Sequence, residues 1–157
     1  MVREVSLHSD SEELSIYRAM SENELHHCAE DDQAAHRVMK EAFKHVDSSS
    51  VSKLGIYGYA EAVQRACEVL FKHAEEEERD HYKKLSSILD PLERSHLATD
   101  FLKARSASAS RPHPSAPQGD GIGQRLMEKM VKRVDSVINK ARNDVPLKYQ
   151  RAYVDAV

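Results

Sequence analysis

Apolar positions recur at steps of three and four along most of the chain, the period of one helix face. In the middle of the sequence Ile56, Ala60, Val63, Cys67, Leu70 and Ala74 form one such stripe, which continues through Leu85 and Ile88 and predicts a helix over residues 56–89. Upstream, Leu14, Tyr17, Leu25, Cys28, Ala35, Met39, Ala42 and Val46 form a weaker stripe, predicting a first helix over residues 10–46. That stripe fades between residues 21 and 34, where Ser21 and Glu24 make a capping box and a break near Met20 is expected. Residues 1–9 precede the first helix-start signature and read as a loose arm. The run of aspartate and serines over residues 47–52 reads as a turn.

Asp90, Pro91 and Glu93 combine an N-cap, a first-turn proline and a capping-box acid, which start a third helix ending near Ala104. Residues 106–121 are rich in Ser, Ala, Pro and Gly with no apolar period, so they read as a linker, mobile or laid across a surface. In residues 122–143 Leu126, Met130, Val134, Val137, Ile138 and Ala141 form a narrow apolar seam, with Arg125, Lys129, Lys132 and Arg133 mostly away from it. The chain thus divides into a helical body (1–105), a linker (106–121) and a basic amphipathic segment (122–157). The fold class is all-α: an antiparallel helical hairpin, a third helix and a tethered C-terminal helix, in the manner of a four-helix bundle.

Composition sharpens this reading. The 157 residues include five glycines, five prolines and no tryptophan, a helix-forming mixture with few aromatic groups for a core. No apolar run approaches a membrane span, and the first residues lack the apolar core of a secretory signal, so a cytoplasmic protein is expected. Cys28 and Cys67 do not make a disulfide framework and read as buried free thiols in a reducing compartment. Residues 1–100 carry 12 Lys and Arg against 21 Asp and Glu, whereas residues 122–157 carry 8 against 4. An acidic body with a basic tail predicts contact between them, within one chain or between chains. The tail lacks the aromatic interleaving of a single-strand binder, which argues against nucleic acid. No phosphate-cradling loop, paired-cysteine zinc motif or nucleophile turn is found.

The candidate chemistry lies in the run from Leu70 to Leu85, LFKHAEEEERDHYKKL. Continuing the buried stripe through it puts Glu77 or Glu78, then His81, on or beside the face that should be apolar. A buried carboxylate is costly unless paired, protonated or metal-bound. Glu78 and His81 are three apart, a two-ligand geometry on one helix face. Folding the two long helices about residue 50 brings Glu24 level with Glu77, and His27 and Cys28 level with Ala74 and His73. The Glu24–His27 pair then meets the Glu78–His81 pair where both stripes turn polar, which predicts a polar site inside the bundle. His26, His36 and His45 are expected to be exposed or hydrogen-bonded.

The segment Glu77, Glu78, Arg79, Asp80, His81, then Lys84 and Leu85, with Phe71 and His73 upstream, resembles the second helix of ferritin-like proteins. The resemblance covers about one helix. It implies an iron-binding four-helix bundle with Glu78 and His81 as ligands and Glu77 as a bridging ligand.

Two functions follow as expectations. The charge split, the linker and the seam predict a non-catalytic interaction or assembly protein, which self-associates or binds a protein partner through its C-terminal helix. The alternative is a metal-binding bundle, with iron as its metal and Glu24, His27, Glu77, Glu78 and His81 as ligands.

Overall fold

The computed structural model describes residues 1–114, 131–138 and 140, and all regular structure among them is helical. The elements are α1 (Val2–Leu14), α2 (Ile16–Glu22), α3 (His26–Ser48), α4 (Val51–Glu76), a π-helical turn (Glu77–His81), α5 (Tyr82–Ile88) and α6 (Pro91–Ala107). Helix α3 and the run from α4 to α5 form an antiparallel hairpin. Helices α1 and α2 lie along α3, and α6 returns along α1. The expected all-α architecture is present, with three differences that decide where the site falls.

First, residues 1–9 are not a loose arm. Helix α1 begins at Val2, and its serines, with the Ser15 that follows it, turn inward: Ser6, Ser9, Ser11 and Ser15 are buried, and each hydroxyl donates to a carbonyl one turn back. Such back-bonding lets a polar residue occupy a buried helix face.

Second, the first long helix is broken twice. Ser15, at φ −131° and ψ −69°, separates α1 from α2. Helix α2 ends in a Schellman turn: Glu24 is left-handed at φ 65°, and the Leu25 N–H donates back to the Met20 carbonyl at 2.9 Å. Met20 and Leu25 then pack in one apolar cluster, as this motif favours.

Third, the hairpin turns later than the sequence suggests. Cys28 meets Lys84, Asp32 meets His81, and His36 meets His73, so the midpoint lies near Gly55 rather than residue 50. Gly55 sits at φ 70°, ψ 171° inside α4, a conformation open essentially to glycine alone. The residues around it, Val51–Tyr57, are exposed and form the cap of the hairpin.

The core is in two parts. Tyr17, Met20, Cys28, Ala29 and Leu85 form one cluster; Met39, Phe43, Val46 and Ala66 form the other, joined by Val2 and Val5. Between them lies a layer of buried polar side chains. Asp90 caps α6 in the expected capping box, accepting from the Leu92 and Glu93 amides at 2.7 and 2.8 Å. Helix α6 runs past the expected end, and the first linker residues are held against α1: Ser108 meets Ser11 at 3.2 Å, and the Ala109 amide donates to Asp10 at 3.1 Å. No described helix is long and apolar enough to cross a membrane.

Candidate metal centre

Three helices each present acids and histidines four residues apart. Helix α1 carries His8 and Glu12, α3 carries Asp32, His36 and Lys40, and α4 with the π-helical turn carries His73, Glu77 and His81. Residues at that spacing stack on one helix face. In a straight α-helix the face drifts slowly around the axis. The wider π turn over Glu77–His81 offsets that drift, so His73, Glu77, His81 and then Leu85 are all buried. Such single π turns recur at functional sites.

Most of these side chains are sealed from solvent: His36 is 0% exposed, Glu12 1%, Asp32 2%, Glu77 3% and Lys40 4%. Burial of so many ionisable groups is expensive and does little for stability by itself. Tyr17 ties the layer together: its hydroxyl donates to Glu77 Oε1 at 2.9 Å and lies 2.9 Å from His36 Nε2. His36 Nδ1 meets Glu13 Oε1 at 2.9 Å, and His36 Nε2 lies 3.5 Å from Glu12 Oε2. His8 Nε2 is 3.0 Å from Glu12 Oε1, which also accepts from the Tyr82 hydroxyl. His73 stands edge-on to His36 with ring centres 4.7 Å apart, its Nε2 3.8 Å from Glu77 Oε2. His81 Nδ1 meets Asp32 Oδ1 at 2.8 Å.

These contacts pull the titrations apart. Burial alone would raise Glu12, but the His36 and His8 imidazoles against it outweigh burial and hold the carboxyl down at about 2. Burial, then the charges of Glu12 and Asp32, push Glu77 up to about 8. Burial would lower His36, but the carboxylates of Glu12 and Glu13 against its ring carry it up to about 9. Burial and the neighbouring His36 hold His73 down at about 4, so its imidazole is neutral at pH 7. Neighbouring groups with widely split proton affinities mark functional sites more often than ordinary cores.

The donors pair with one another rather than aim at a common point: among the described residues no three His, Cys, Asp or Glu side chains stand at metal-ligand spacing. Glu12 Oε2, Asp32 Oδ2 and His73 Nε2, all buried, make no hydrogen bond. Unsatisfied buried donors and acceptors are rare in folded proteins and call for an explanation. Carboxylate and imidazole on facing helices, with spare valence on Glu12 and His73, fit a transition metal such as iron, manganese or zinc.

One comparison with known proteins returns a relative. The chain is 29% identical over 119 residues to an uncharacterised hemerythrin-like protein of Schizosaccharomyces pombe, a match covering 74% of this chain and 57% of that protein. This chain therefore spans little more than half the length of that relative. No family model and no solved structure matches this chain.

The five ligands expected from the sequence fall in different places. Glu77 lies at the middle of the polar layer and His81 at its edge against Asp32. Glu78, one residue from Glu77, is exposed. Glu24 and His27 are exposed on the α2–α3 turn and do not meet Glu77 or His81, because the later hairpin midpoint and the break after Glu22 carry them past that level. His36 is hydrogen-bonded, one of its two expected states, and it lies at the heart of the layer; His26 and His45 are exposed. Sequence reasoning passed over His8, Glu12, Asp32 and Lys40. Their signal is a four-residue repeat of acids and bases on three segments, which a three-residue Glu–His spacing does not register.

A cavity of about 520 Å³ opens on this layer between α1, α5 and α6. Ile16, Leu85, Leu89, Leu97 and Phe101 make its apolar walls, and Glu12, Glu77 and Tyr82 form a polar edge. In the C-terminal segment, Val134, Arg133 and Val137 are exposed, Lys132 and Ile138 half-buried, and the buried contact is made by Asp135. Arg125, Leu126, Lys129, Met130 and Ala141 lie outside the described residues.

Proposed function

We propose that the chain is a metal-binding helical bundle whose polar layer holds a transition metal, iron first, on Glu12, His36, His73 and Glu77, with His8 in reach. The observation that carries this reading is the meeting of acids and histidines from three helices between two apolar clusters, with Glu12 Oε2 and His73 Nε2 left without hydrogen bonds. The hemerythrin-like relative supports iron over the other metals that such donors accept.

In this reading His73, neutral at pH 7, offers a lone pair directly. His36 gives up its proton on binding, and Glu77 gives up the proton that burial keeps on it. Tyr17 would keep its hydrogen bond to Glu77 Oε1 and give up its contact with His36 Nε2. His81, held by Asp32, supports the π turn that aims Glu77 inward. A bound iron would supply a redox-active, Lewis-acidic centre, and the cavity beside Glu12 and Glu77 gives a small molecule access to it.

The test is elemental analysis of the purified protein, followed by anaerobic titration with Fe(II), Mn(II) and Zn(II). At least one equivalent should bind, and the double variant H73A/E77Q should lose it while keeping its helical circular dichroism. A wild-type protein that takes up none of the three metals overturns the proposal.

A second reading concerns the C-terminal segment. Val134 and Val137 are 54% and 67% exposed, which suits an element that docks on a protein partner or a second copy of the chain. Removing residues 106–157 should then abolish association measured by light scattering. A truncated chain that still self-associates or still binds its partner ends that reading.

A further inference from the structure

A buried lysine is the least expected member of the polar layer, and it does not face the candidate ligands. Lys40 is 4% exposed on α3, one turn beyond His36. Its ammonium pairs with Asp10 Oδ1 at 2.6 Å and with both oxygens of Glu13 at 2.8 and 2.9 Å. Glu13 Oε1 is the same atom that His36 Nδ1 meets at 2.9 Å. Asp10 spends its other oxygen on the Ala109 amide, at 3.1 Å. A continuous run of polar contacts therefore leads from the backbone just after α6, through Asp10, Lys40 and Glu13, to His36.

The outer end of this run is fastened in its own right. Ser108 meets Ser11 at 3.2 Å, and Arg111 pairs with Asp47 at 2.5 Å. The Ser110 amide donates to the buried Asp135 at 2.9 Å, and His113 Nε2 meets the other Asp135 oxygen at 3.0 Å. Residues 108–113 thus form a strap that is tied to α1, α3 and the helical residues 131–138.

We infer that Asp10, Lys40 and Glu13 are positioning residues for His36, and that the strap, through the Ala109 amide on Asp10, tunes how tightly the centre holds its metal. The inference rests on the metal reading above. Glu13 takes the Nδ1 side of His36, which leaves Nε2, now 2.9 Å from the Tyr17 hydroxyl, as the nitrogen that would bind. Lys40 holds Glu13 in place against a second, half-buried carboxylate, Asp10, that would otherwise repel it. The amide on Asp10 keeps that carboxylate turned towards Lys40. Each link fixes the next, and outer partners of a ligating histidine commonly change metal affinity about 10- to 100-fold.

The test titrates Co(II), whose visible absorption reports its coordination, into the full chain and three variants. Lys40→Met should bind Co(II) at least about 10-fold more weakly, with altered visible bands, and Lys40→Arg should recover both. Ala109→Pro deletes the amide donor, and the extended Ser108 backbone (φ −70°, ψ 155°) already suits a following proline. It should weaken binding in the same direction by a smaller factor. Folded Lys40→Met and Ala109→Pro proteins that match wild type in affinity and spectrum overturn the inference and leave the metal reading standing. A wild-type chain that binds no Co(II) overturns both. If Lys40→Met fails to fold, Ala109→Pro alone decides.

Discussion

Tyr17 is the residue on which the layer most depends, because one hydroxyl serves both Glu77 and His36 with no solvent to replace it. Tyr17→Phe keeps the packing and strands both partners. The metal-free protein should lose about 1–3 kcal/mol in urea denaturation. The split titrations give a second prediction at this scale. His36 is raised to about 9, so the stability it contributes is complete below its unfolded value near 6.5 and is lost as pH rises through 9. Glu77, raised to about 8, acts with the same sign from about 4.5 upward, because the folded state holds a proton that the unfolded chain releases. Glu12, depressed to about 2, contributes stability above its unfolded value that is lost only as pH falls through 2. The metal-free melting temperature should therefore fall steadily from pH 6 to pH 9. A profile that is flat or rising there would contradict this assignment of protons. Metal binding at pH 7 should release protons, measurable as a buffer-dependent heat in calorimetry.

Among the elements, the run from α4 through the π turn carries two departures from ideal helix, and each has a structural consequence. Gly55 bends the start of α4 and sets the hairpin midpoint, which decides that Asp32 and His36, rather than Glu24 and His27, face His73 and His81. A Cβ at Gly55 would meet nothing within 4 Å, so the cost of a side chain there is purely one of backbone conformation. Gly55→Ala should destabilise the protein by about 1–3 kcal/mol, read as a lower urea midpoint with an unchanged slope. The π turn is the other departure. It is invisible to a stripe analysis that assumes one constant period, so the continued stripe left Glu77 and Glu78 as equal candidates. The structure buries Glu77 and exposes Glu78. The strong signals were local ones: the Asp90–Pro91–Glu93 start of α6 stands as its sequence implies, because capping depends on residues within one turn.

For the whole molecule, the polar layer divides the apolar core in two, and its burial carries a desolvation cost that a bound metal would offset. Metal should therefore act as a strong stabiliser. At a free concentration 100 times the Kd the gain is about 2.7 kcal/mol, which for a chain of this size raises the melting temperature by roughly 5–10 °C. His36→Ala should remove that increment in differential scanning calorimetry while the protein still unfolds cooperatively. An equal metal-induced shift in the variant would show that the metal sits elsewhere.

By itself the sequence determined the helical class, the hairpin, the capped α6 and the presence of a polar site near Glu77, because helix periodicity, capping and the cost of buried charge operate over a few residues or a single face. Only the tertiary structure decided which acids and histidines meet. That outcome turned on one left-handed glutamate, one glycine and one widened turn. Each changes the backbone by only a residue or so, and each shifts every partner further along by a turn or more. The chemistry of this chain is a matter of register between helices, and register is set by how the faces pack rather than by any one of them alone.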